Sequence, residues 1–113
     1  MTVTAINPEP PKASPDEFET LYRAWRYAKA QWDLAENDPA KPQGLSDEED
    51  EAHCDAEHRA LLTFLLHPIS KPDQLARKLR VIRDQEAWRY SEAGDILDRL
   101  CSDASQIALD GGH

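Results

Sequence analysis

The sequence predicts an all-α fold: a helical hairpin packed on a third helix that is long or kinked, three to four helices in total. Three observations predict it. Ala, Leu, Glu, Asp and Arg dominate while Val, Ile and Thr are sparse, which is a helix-forming composition. Apolar residues recur at three- and four-residue steps, not in alternation. Clusters of Ser, Pro and acidic residues, the usual helix starts, stand ahead of each such run. The 113 residues suffice for one domain and leave no room for separate cofactor and substrate halves.

Residues 1–13 include Pro8, Pro10 and Pro11 and show no helical or strand period, so a disordered N-terminal segment is expected before a single helical domain over 14–109. Ser14-Pro15-Asp16-Glu17 starts the first helix, with Ser14 as cap and Glu17 closing a capping box. Phe18, Leu21, Tyr22, Trp25, Ala28 and Trp32 then fall on one face of a helix that ends near Glu36. Tyr27, Ala30 and Leu34 lie on roughly the opposite side. Asn37 to Leu45 is a loop with two prolines and a glycine. Ser46-Asp47-Glu48-Glu49 is a second capping box, and the acids Asp47 to Glu51 favour the positive end of the helix dipole. The second helix runs to about His67, where Pro68 stops it, with an apolar row of Cys54, His58, Leu61 and Leu65.

Ser70-Lys71-Pro72-Asp73 is a third start. Leu75, Leu79 and Ile82 set a stripe that continues through Glu86 to Tyr90, Ala93, Leu97, Leu100, Ala104 and Ile107. One continuous helix from Lys71 to Ala108 is the favoured expectation. A break between Asp84 and Ser91 is the alternative, because Glu86 interrupts the stripe. Residues 110–113 form a frayed tail. A continuous helix would be about 57 Å long, against about 33 Å and 32 Å for the first two. The hairpin would then leave part of the stripe uncovered, so continuity predicts a homodimer and a break allows a monomer.

The net charge of −9 disfavours nucleic acid in general. It is unevenly spread: ten acids and one base lie between Ala30 and His58, and six bases with three acids between Lys71 and Tyr90. No apolar signal segment opens the chain and no run approaches the roughly 18 apolar residues of a membrane span. A cytoplasmic protein with reduced thiols at Cys54 and Cys101, and no membrane partner, is expected.

The run from His67 to Val81, His-Pro-Ile-Ser-Lys-Pro-Asp-Gln-Leu-Ala-Arg-Lys-Leu-Arg-Val, resembles a turn-and-helix block in a group of small proteobacterial proteins, often from prophage-like regions. Those proteins pair a Trp-bearing first helix and an acidic linker with Pro-Ala-Thr-Thr-Leu-x-x-Leu-Ala-x-Lys-Leu-Arg. Trp25, Leu75, Ala76, Lys78, Leu79 and Arg80 match, and Asp98 and Leu100 match more loosely. The resemblance implies a mobile-element setting and no particular activity.

Candidate chemistry is thin. Cys54 and His58 share a helix face, but a structural zinc takes four ligands and a catalytic one three, and no second Cys/His pair accompanies them. Both read more simply as members of the apolar row, and a thiol beside leucines is inert. The acids Asp47 to Glu51 lack the glycine and alternating spacing of a calcium loop. Leu75-Ala76-Arg77-Lys78-Leu79 looks like the first half of a helix-turn-helix, yet the residues after it continue the helix. No catalytic residue, cofactor or metal is therefore expected.

The function that fits best is a non-enzymatic, acidic interaction protein, an accessory or inhibitor of a mobile element that binds a host protein or itself. One version is a DNA-mimicking inhibitor of anti-CRISPR type. The expected partner-binding residues are Tyr27, Leu34, Asp47, Glu48, Glu49, Asp50, Glu51 and Trp88. The alternative is a DNA-binding regulator using the segment Lys71 to Arg89, with Arg77, Arg80 and Arg83 on the nucleic acid.

Overall fold

Phe18, Trp25 and Trp32 stand seven residues apart, so a helix aligns them on one face. The computed structural model, which describes residues 15–111, carries them on α1 (Pro15–Glu36) and sets them against α2 (Asp47–Leu65). Their partners also step by seven, in the opposite direction. The Phe18 ring lies 5.0 Å from that of Phe64. Trp25 Nε1 donates to Glu57 Oε2 at 2.5 Å, and Trp32 Nε1 donates to Asp50 Oδ1 at 2.9 Å. The two helices are thus an antiparallel hairpin whose register is written in aromatic and acidic side chains. Burying a Trp N–H requires such an acceptor.

The predicted α1 face is the buried one. Phe18 and Trp25 are in the core, and Leu21, Tyr22, Ala28 and Trp32 are half-buried. The proposed Ser14 cap and the 1–13 segment lie outside the described residues. Gly44, at φ 82°, closes the turn that leads to Ser46, and the second capping box forms as expected: Glu49 N–H donates to Ser46 Oγ, and Ser46 N–H to Glu49 Oε1. On α2 the predicted row is displaced. Glu57, Leu61, Phe64 and Leu65 are buried, whereas Cys54 is exposed and His58 half-exposed. The helix ends two residues early, with Leu66 as its C-cap.

The continuous third helix does not form. α3 (Pro72–Gln85) stops at Glu86, whose backbone is left-handed at φ 53°. A short 3-10 turn, η1 (Ala87–Arg89), follows, and α4 (Ala93–Gly111) folds back along α3. The third start forms as expected, with Lys71 at the cap, Pro72 in the first turn and no side-chain capping bond. α4 stays helical into the expected tail, to Gly111. The break falls inside the alternative window 84–91, and packing explains it. A straight helix would project the second half of the stripe past the hairpin. The left-handed residue instead tucks Ala87 fully into the core and returns Ile96 to it.

The buried row of the second hairpin also differs from the predicted stripe. It runs Gln74, Lys78 and Val81 on α3, then Ile96 and Asp103 on α4, with Leu100 and Ile107 half-buried. Leu79, Leu97 and Ala104, expected to face inward, are exposed. Lys78 Nζ donates to Asp103 Oδ2 and to the carbonyl of His67, both at 2.6 Å. The other carboxylate oxygen, Oδ1, accepts from Ile69 N–H at 3.2 Å and from Arg99 Nε at 3.1 Å. One fully buried ion pair therefore ties α3, α4 and the α2–α3 turn together. Burial pushes the Lys78 ammonium below its ordinary value, while the bond to Asp103 pulls it back up.

The two hairpins share one apolar core, and charged side chains also join them. Arg77 makes a two-pronged bond to Glu19, at 2.9 and 2.8 Å, and lies over the Phe18 and Tyr22 rings. At the other side His58 meets Glu92 at 3.2 Å and packs edge-on against Tyr90.

Left-handed backbone costs a non-glycine residue about 1–2 kcal/mol, and glycine gives back about 0.5–1 of that in lost entropy. Glu86→Gly should therefore stabilise the protein by about 0.5–1 kcal/mol in urea unfolding, since its exposed pair with Arg89 contributes little. A loss of about 1 kcal/mol would instead be the behaviour of a glycine inside a continuous helix.

Candidate functional groove

The break at Glu86 leaves an opening where α3, η1 and α4 meet. It is an open-sided groove of about 400 Å³. Ala87 and Ile96 form its buried floor, and Ile82, Ala93 and Leu100 are its half-buried walls. Trp88, Leu97 and Gly94 stand exposed at the mouth. Trp88 is 57% exposed and Leu97 61%. Every lining residue is apolar or glycine, and Leu79, three residues before Ile82 on α3, is also exposed.

Local sequence makes this geometry. Trp88 cannot turn inward, because in a three-residue 3-10 turn the inward position goes to the smaller Ala87. Ala93 and Gly94 are small, so the α4 backbone bares its first turn beside Leu97. A Cβ built on Gly94 would meet nothing within 4 Å, so open space begins at that backbone.

The expected partner-binding residues are not gathered in one place. Trp88 is at the groove. Tyr27 and Leu34 are both about two-thirds exposed, on α1, and line no part of it. The acids lie at the start of α2. Asp47, Glu48 and Glu51 are exposed there, while Asp50 accepts from Trp32 and Glu49 pairs with Lys41. The Lys41 bond and the Ser46 cap hold the Glu49 carboxyl down at about 2. Two of the five acids are thereby committed to the fold.

Of the three residues placed on nucleic acid in the alternative reading, Arg77 is engaged by Glu19 and two rings. Arg83 pairs with its neighbour Asp84, and Arg80 is exposed. Among the described residues no group of three or more His, Cys, Asp or Glu side chains is arranged to hold a metal ion. His58 is spent on Glu92 and Tyr90. Burial and the surrounding acids push the Cys54 thiol up. No described helix is long and apolar enough to cross a membrane.

Sequence reasoning missed Leu97, Gly94, Ile82 and Leu100 as groove residues. A usable signal existed: Gly94, Leu97, Cys101, Ala104 and Ala108 follow a 3-4-3-4 spacing without a charge, parallel to the inner row. Comparison with known proteins gave no matching family model, no matching curated protein and no matching solved structure.

If Leu97 belongs to the groove mouth and Ile96 to its floor, the adjacent residues should differ sharply. Ile96→Ala should cost about 2–5 kcal/mol in urea unfolding. Leu97→Ala should stay within about 0.5 kcal/mol. Equal costs would place Leu97 in the core and close the groove.

Proposed function

We propose that the protein is a small non-enzymatic interaction module that docks an amphipathic helix of a protein partner in the groove between α3, η1 and α4. The observation that carries this is the pairing of half-exposed Trp88 and Leu97 over a continuous apolar floor. Trp is among the residues most enriched where binding energy concentrates. A groove between two helices takes a third helix through residues spaced three and four apart.

The mobile-element setting implied by the sequence resemblance suits such a module, as accessory or inhibitor. A DNA mimic would instead present the acidic end, and the commitment of Glu49 and Asp50 to structural bonds favours the groove. A DNA-binding regulator would rely on Arg77, whose side chain is already occupied.

A photoreactive phenylalanine analogue at Gly94 tests the proposal in cells, because the space there accepts a large side chain. The same analogue at Gln31, exposed on α1, is the control. Protein adducts should form from position 94, should be lost when Leu97 is also changed to Glu, and should be absent from position 31. No adduct at 94, or equal adducts at both sites, would contradict a docking groove.

A further inference from the structure

We infer that the helix received at this groove is α4 of a second copy of the chain, paired about a two-fold axis that runs along α4. The inference rests on the docking role proposed above and names its partner. Gly94, Leu97, Cys101, Ala104 and Ala108 are all exposed, and they step by three and four over about 21 Å. That spacing is the seam of a two-helix coil, and no charged residue interrupts it. The inner face of α4, with Ile96, Leu100, Asp103 and Ile107, is already used. α4 is thus apolar towards its own core and, separately, towards solvent. Small residues at four of the five seam positions let a second helix approach closely.

Charge selects the occupant. The apolar strip has edges of opposite sign. On the α3 side, Arg83 follows exposed Leu79 by one turn. On the α4 side, Asp98 adjoins Leu97 and lies one turn before Cys101 and Ser102. Both are exposed, and the pair Arg83 makes with adjacent Asp84 is a surface contact that can be exchanged. The two edges are also level with each other. Lys78 bonds Asp103, and Ile82 lines the groove with Leu97 and Leu100, so Arg83 stands at the height of Asp98. A two-fold axis along the seam brings the α4 edge of each copy to the α3 edge of the other. Asp98 then faces Arg83 of the second copy, twice by symmetry, and Cys101 meets Cys101 at the middle of the seam. A strip that is neutral in the centre and opposite in sign at its edges is complementary to itself.

The test uses the full chain. Light scattering over a concentration series should show a mass rising towards twice the 12.8 kDa of one chain. Cys54→Ser, which removes the other exposed thiol, should still give a disulfide-linked dimer through Cys101 on mild oxidation. Arg83→Glu or Asp98→Arg alone should raise the dissociation constant about tenfold, and combining them should restore it, because the swap preserves complementarity. Both sites are exposed, so the variants should keep the wild-type circular dichroism. A chain that stays monomeric at the highest concentration, or a double swap as weak as either single change, overturns the inference. If position 94 then still captures a different protein, the docking groove stands without self-association. If it captures nothing, both fall.

Discussion

Lys78 and Asp103 form an ion pair with no exposed side-chain surface, and the second half of the protein is organised around it. Two charges cannot leave water for an apolar core unless their remaining donors and acceptors are also satisfied. Here they are. The ammonium holds the His67 carbonyl as well as the carboxylate, and the carboxylate holds Ile69 N–H and Arg99. The cost of burial is offset only when α3, α4 and the turn after α2 are all in place. Such a pair contributes less to stability than to choosing one arrangement of these three segments. With Asp103 fixed beside Lys78, α4 must fold back along α3, and the chain must reverse between them.

That reversal produces the groove. Glu86 takes a left-handed conformation that glycine would adopt more easily, Ala87 fills the core, and Trp88 is left outside. The inner row of α4 is committed to the core, and the uncharged row beside it remains open to a partner. Exposure of Trp88 and Leu97 is therefore a consequence of how the second hairpin closes. The first hairpin is a separate device, held by aromatic residues every seventh position, and it supports the second through Arg77 and His58.

Much of the first hairpin was legible in the sequence. The spacing of Phe18, Trp25 and Trp32 marks a face, and Ser46 to Glu49 marks a helix start by chemistry that needs no tertiary contact. Glu57 and Asp50 were not legible as partners of the tryptophans, because in an acidic stretch they look like solvated residues. The second hairpin was harder for one physical reason. Two positions of its inner row, Lys78 and Asp103, are charged, and a search for apolar periodicity slides to the neighbouring row through Leu79 and Leu97. Only part of that row faces outward: Leu79, Leu97 and Ala104 are exposed, while Leu75, Ile82, Tyr90 and Leu100 pack against the core. The same slip made one long helix look continuous and hid the groove, although Trp88 already stood among the expected partner-binding residues. The homodimer expected from an overlong helix lost its premise when the helix broke; the case for a second copy rests instead on the outer seam and its charged edges.

One buried pair, rather than apolar contact alone, sets the closure of α3 on α4. A double-mutant cycle in urea unfolding measures this directly, with Lys78→Met, Asp103→Leu and the two combined. Leaving either charge buried alone should cost about 3–5 kcal/mol, and the double variant should lose clearly less than the two single losses added together. Single losses below about 1 kcal/mol, or strictly additive ones, would show that the pair does not organise the fold.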